Sequence, residues 1–171
     1  MNLAKPIKYC TPEEFEILEK EAGFNYELIG GIVLMSPSPS RLHQEISGNL
    51  HFALRNQLIA IKYLPLYGMA IKSKENVFRP DMMVFCDSVA EIPEIIFEIL
   101  SPSSRQTDLR VKLVKYEEMG IKEYWIIDPK TKSVIVHDFL NNTAEIYDIN
   151  DTVSSAIISQ INIPVKIIFE N

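Results

Sequence analysis

The sequence predicts a mixed α/β domain in which a mixed central β-sheet is flanked by α-helices. Apolar residues recur at helical spacing in a few stretches, while short apolar runs bounded by turn residues recur more often. No linker, repeat or low-complexity tract interrupts them, so residues 1–171 are expected to form one domain with a real core.

Thr11-Pro12-Glu13-Glu14 is a helix start: Thr as N-cap, Pro at the first helical position, Glu three residues past the cap. That helix is expected to run through Phe15 and Leu18 and to end near Gly23. Tyr26–Ile29 and Ile32–Met35 flank Gly30-Gly31 and read as a β-hairpin. Ser36–Ser40 breaks the pattern, and Leu42, Ile46, Leu50, Ala53, Leu54 and Leu58 then predict a helix over 41–60. Strands are expected near Tyr63–Lys72, at Asp81–Cys86 and at Ile95–Leu100. Leu109, Leu113 and Tyr116 mark a third helix, closed by Gly120. Glu123–Asp128, Ser133–Asp138 and Ala144–Ile149 read as consecutive strands, and Val165–Phe169 as a last one.

Apolar residues make up 47% and charged residues 23%, the balance of a globular protein. No apolar stretch is long enough to cross a bilayer, and Met1–Pro6 lacks the apolar core of a signal peptide, so a cytoplasmic location is expected. Cys10 and Cys86 are the only cysteines and form no C-x-x-C pair, which argues against a disulfide framework or a cysteine zinc site. His43 and His51 lie about 12 Å apart by helical rise, too far to share a metal directly. The net charge of -6 counts against broad nucleic-acid binding but leaves room for an acidic site neutralised by cations.

Ionisable residues inside apolar strands are the chemical signal. Asp81 opens Met82–Cys86, and Glu98 interrupts Ile95–Leu100. An unpaired carboxylate there would cost several kcal/mol, so some partner must offset it. If the two strands pair antiparallel, the start of one lies opposite the end of the other and the two acids share one sheet end. Two carboxylates so placed suit magnesium, which takes one or two carboxylates with water and phosphate. The ordinary alternative is a salt bridge to Arg79 or Arg105, or a charge facing solvent.

Asp108, Lys112 and Tyr116, spaced i, i+4, i+8, line one face of the third helix, which follows Glu98 after a short turn, Ser101–Ser104. A lysine there can polarise water and offset phosphate charge; its alternative is a solvated Asp–Lys pair. Glu27 and His43 are further candidates for the site, His43 as a neutral nitrogen ligand or simply a helix-start histidine bonded to backbone. Arg105, Arg110, Lys112 and Lys115 form a modest basic cluster. Trp125, Tyr124 and Phe97 read as core.

Taken in order, Glu27–Gly31, His43-Gln44, Pro80-Asp81, Phe97–Ser103, Asp108-x-x-x-Lys112-x-x-x-Tyr116, Gly120 and Glu123–Pro129 resemble the Uma-two family of restriction-type endonucleases, of the PD-(D/E)XK nuclease superfamily. The resemblance covers roughly residues 11–169 and implies a restriction-endonuclease-like core. It also implies a magnesium-dependent endonuclease, a hydrolase of DNA phosphodiesters, with manganese as substitute. Asp81 and Glu98 match its acids and metal ligands, joined by His43, with Glu27 as a further catalytic candidate. The usual lysine two residues beyond Glu98 falls on Leu100, and Lys112 is the matching position. Gly30 stands where an aspartate is expected. A homodimer, cutting two strands, accords with this reading, and no membrane partner is expected. The rival is a module that keeps the fold to bind nucleic acid or protein without catalysis; a phosphohydrolase of small esters ranks lower for want of a Gly-rich phosphate cradle.

Overall fold

The capping signature at Thr11 produces the first helix. In a computed structural model of the chain, which describes residues 9–18, 22–102 and 105–170, α1 spans Pro12–Ile17. Thr11 Oγ1 accepts from Glu14 N at 3.2 Å and Glu14 Oε2 accepts from Thr11 N at 2.9 Å, the reciprocal bonds of a capping box. The helix ends at Ile17, earlier than expected, and the remainder of that expectation includes residues 19–21, outside the described residues.

Two compact units make up the chain, one formed by 1–38 with 70–79 and the other by 39–69 with 80–171. In the first, β1 (Phe24–Ile29) and β2 (Ile32–Pro37) form the expected antiparallel hairpin. Gly30 and Gly31 turn it with φ of 58° and 75°, the left-handed pair a two-residue hairpin favours. Residues 63–72, expected as one strand, are two: β3 (Leu64–Leu66) and β4 (Ile71–Ser73). Gly68, at φ 73°, breaks the run between them, and they join different sheets. A further strand, β5 (Asn76–Phe78), pairs with β4 and β1, giving the order β2-β1-β5-β4. Phe15, Tyr26, Leu28 and Val77 form this unit's buried core.

The second unit begins with α2 (Arg41–Leu58), capped by Ser40 Oγ, which accepts from His43 N at 3.2 Å. Its stripe Ile46, Leu50, Leu54 and Leu58 is buried. The sheet runs β10-β9-β8-β7-β6-β3, with β6 (Met82–Phe85), β7 (Ile95–Ile99), β8 (Glu123–Asp128), β9 (Ser133–Asp138) and β10 (Thr143–Tyr147). Only β7 and β8 pair in parallel; the other pairings in this sheet are antiparallel. Their crossover holds a π-helical stretch, Thr107–Lys112, continuing into α3 (Leu113–Glu118) and closing at Gly120 with φ 83°.

Alternation along the strands sorts the two faces. Met82, Val84, Ile95, Phe97, Ile99, Trp125 and Ile127 pack with the α2 stripe in one core. Glu98 alternates with Phe97 and Ile99, which sends it to the face where the crossover helix lies.

The chain's last expected strand is a helix. β11 (Thr152–Ser154) pairs antiparallel with β12 (Asn162–Pro164), and α4 (Val165–Phe169) follows. A short apolar run fits either period, so tertiary contacts decide. Val165 and Ile168 are buried at helical spacing. Asn49 Nδ2 donates to Glu170 O at 2.6 Å, and so satisfies a carbonyl at the helix's end. Among the described residues, no helix is long and apolar enough to cross a membrane.

Candidate active site

β6 and β7 pair antiparallel with Met82 opposite Phe97, so Asp81 and Glu98 stand one step further along, at a shared end of the sheet. Asp81 lies just outside its strand, and its carboxylate continues the ladder: Oδ2 accepts from Ile99 N at 2.7 Å, in the place of a strand carbonyl. The same oxygen meets His43 Nε2 at 3.0 Å. An ionised carboxylate can only accept, so Nε2 carries the proton and donates. The ring's Nδ1 is a buried atom without a hydrogen-bond partner among the described residues. The Asp81 side chain is 23% exposed. Its Oδ1 meets no donor among the described residues.

Glu98 is sealed by comparison. Its Oε1 accepts from Tyr116 Oη at 2.7 Å and from Lys112 Nζ at 2.9 Å. Lys112 Nζ also stands 3.3 Å from Asp108 Oδ1, and the lysine and both acids are at most 4% exposed. Asp108, Lys112 and Tyr116 do share a helix face, but it faces inward, which removes the alternative of a solvated pair. Tyr124 Oη donates to the Asp108 carbonyl at 3.2 Å and fixes the first turn of this helix to the sheet.

Asp81 thus partners His43 and the Ile99 amide, and Glu98 partners Lys112 and Tyr116. Arg105 Nη1 donates to Asp128 Oδ2 at 2.8 Å. The basic cluster expected from sequence disperses, since Lys112 is buried and Lys115 bonds Glu118 at 3.0 Å. Ser103 and Ser104 of the preceding turn lie outside the described residues. Glu27 belongs to the first unit, where its Oε1 accepts from Arg79 N at 2.8 Å.

Among the described residues, no group of three or more His, Cys, Asp or Glu side chains is arranged to hold a metal ion. Of the expected set, His43 bonds Asp81 through Nε2, and Glu98 bonds Lys112 and Tyr116. Magnesium asks for less than such a set: one or two carboxylates, with water and phosphate completing its shell. Asp81, with one oxygen held and one open, fits that demand.

Two carboxylates that sequence reasoning passed over also shape this unit. Glu123 is fully buried at the opposite end of β8, and burial raises its carboxyl above the usual glutamate range despite the donors around it. For Asp128, burial pulls upward, but Arg105 and the Lys130 amide outweigh it and hold the carboxyl below the usual aspartate range. Burial lowers His137. The signal that exposed Glu98, an acid within an apolar strand, was present at Glu123 as well.

A mixed sheet flanked by helices, with acids at one end, is consistent with restriction-endonuclease-like architecture. The model of the Uma2 family, described as "Putative restriction endonuclease", matches residues 12–166, and the chain belongs to that family. The fold is similar to that of a crystal structure from Anabaena variabilis ATCC 29413, described as "a putative nuclease belonging to DUF820". The TM-score is 0.80 at 20% identity, covering 93% of this chain and 97% of that one. A comparison with curated proteins finds no match.

Proposed function

We propose that this chain is a metal-dependent endonuclease that hydrolyses nucleic-acid phosphodiesters, with DNA the substrate its family description favours. The observation that carries the reading is the meeting of Asp81 and Glu98 at one sheet end, with Lys112 against Glu98. Asp81, through its open Oδ1 and with Glu98 beside it, would hold magnesium, or manganese in its place, and the ion when bound would supply an activated water and a Lewis acid for the phosphate. His43 orients Asp81 through Oδ2 and leaves Oδ1 open. Lys112 sets a positive charge between Glu98 and Asp108 and limits the negative charge a phosphate would meet there. Cutting both strands of a duplex would take two copies, which sizing the protein on DNA would show.

One observation favours a binding module instead: the Lys112 ammonium is already bridged by two buried carboxylates. Magnesium calorimetry and plasmid cleavage on wild type and Asp81→Ala separate the readings. Saturable binding and cleavage, both lost in the variant, support the nuclease. DNA binding without cleavage in either protein supports the module.

A further inference from the structure

The parallel pairing of β7 and β8 places a second acid beside the site. Leu100 N donates to Ile127 O at 2.8 Å, so the ends of the two strands run side by side, and Asp128 closes β8 where Asp81 flanks β7 on its other side. Two strand spacings and a two-residue offset along β8 separate them, about 12 Å in all.

Asp128 is an organiser. Its Oδ2 accepts from Arg105 Nη1 at 2.8 Å, and its Oδ1 accepts from Lys130 N at 3.0 Å. The first bond aims an arginine that remains 46% exposed; the second folds the turn joining β8 to β9. Within that turn Lys130 and Lys132 are exposed and make no ion pair among the described residues. Lys132 holds φ at 51°, a left-handed conformation in which glycine or asparagine would sit more easily. In a chain of net charge -6, three outward cations are thus gathered at the end of the sheet that carries Asp81.

We propose that Arg105, Lys130 and Lys132, arranged by Asp128, form the arm that grips the backbone phosphates of a nucleic acid strand beside the scissile bond. This rests on the nuclease reading and adds the substrate contact it otherwise lacks. About 12 Å corresponds to roughly three to four base steps along one strand, so the arm would hold a neighbouring stretch of the strand whose phosphate lies at Asp81. Cations on a turn contact phosphate without reading bases, so the grip is independent of sequence and sensitive to salt.

The test is anisotropy of a labelled DNA duplex, and of an RNA duplex of equal length, across a salt series. Wild type is compared with Lys130→Glu/Lys132→Glu and with a control of equal charge change, Arg55→Glu/Lys62→Glu. The control lies in the last turn of α2 and just beyond it, with Arg55 about 21 Å along the axis from Arg41. We expect the arm variant to bind at least tenfold more weakly, with a log–log salt slope shallower by about two, and the control to match wild type. The same loss on RNA alone supports the arm and moves the substrate to RNA. Wild-type binding or cleavage that the arm variant retains with an unchanged salt slope overturns the arm and leaves the nuclease reading standing. Wild type that neither binds nor cleaves either polymer overturns both.

Discussion

Two buried glutamates on neighbouring strands solve the same problem in different ways. Glu98, near the end of β7, is matched by a cation, Lys112 at 2.9 Å, together with the Tyr116 hydroxyl. Glu123, at the start of β8, has neutral donors among the described residues: Trp125 Nε1 at 2.9 Å, Ala156 N at 2.6 Å and Ile157 N at 3.3 Å, with the Ser155 side chain beside them. The first arrangement concentrates charge at the sheet end that carries Asp81. The second ties the chain after β11 to the sheet and leaves no oxygen facing solvent. Burial of an acid therefore does not by itself mark a site; what distinguishes Glu98 is a charged partner and an open carboxylate nearby.

The contrast is broken most forcefully at Lys112. Lys112→Ala leaves Glu98 and Asp108 buried without their cation, and we expect a loss of about 3–5 kcal/mol in urea unfolding. A change under about 1 kcal/mol would mean that water reaches this cluster and that charge pairing is unimportant there.

Glu123→Ala strands an indole N–H and backbone amides, for an expected cost of about 2–3 kcal/mol with a shift in Trp125 emission. Unchanged emission and stability would show that the segment 155–157 finds other acceptors. The same residue offers a test with a sign. Its carboxyl is raised by burial, so the folded chain holds that proton more tightly than the unfolded one. Its stabilising contribution is complete below the unfolded value and is lost as pH rises through the folded one. Glu123→Gln is expected to flatten this decline in the urea midpoint, and an equal decline in the variant would assign it to another group.

The smallest effect is expected at Arg105. Its guanidinium is half-exposed, and the Lys130 amide still bonds Asp128 without it, so Arg105→Gln should cost under about 1 kcal/mol. Asp128 is held low, so its contribution is present above the unfolded value and fades as pH falls through the folded one. Acid titration of stability in the variant should show that fade diminished; an unaltered curve would leave the Lys130 amide as the dominant partner.

Much of the framework was legible because its signals are local. Thr11 with Glu14 closes a box within four residues, Gly30-Gly31 supplies two positive φ values, and the α2 stripe repeats at helical spacing. The 63–72 and 165–169 segments were misread because short apolar runs lack a decisive period; Gly68 and the cap from Asn49 settled them. At the site, the expected antiparallel pairing of β6 with β7 is present. The bond from His43 to Asp81 was not foreseen, since it joins residues 38 positions apart.

By itself the sequence determined the order of most elements, the unusual acids in apolar strands and the helix face shared by Asp108, Lys112 and Tyr116. Each follows from spacing along the chain, which backbone geometry converts directly into direction. Tertiary structure alone decided that this face turns inward, that Arg105 serves Asp128 and that Asp81 keeps one oxygen open. Partnership in a low-dielectric interior depends on which groups are brought within about 3 Å, and that distance is set by packing between segments far apart in the chain.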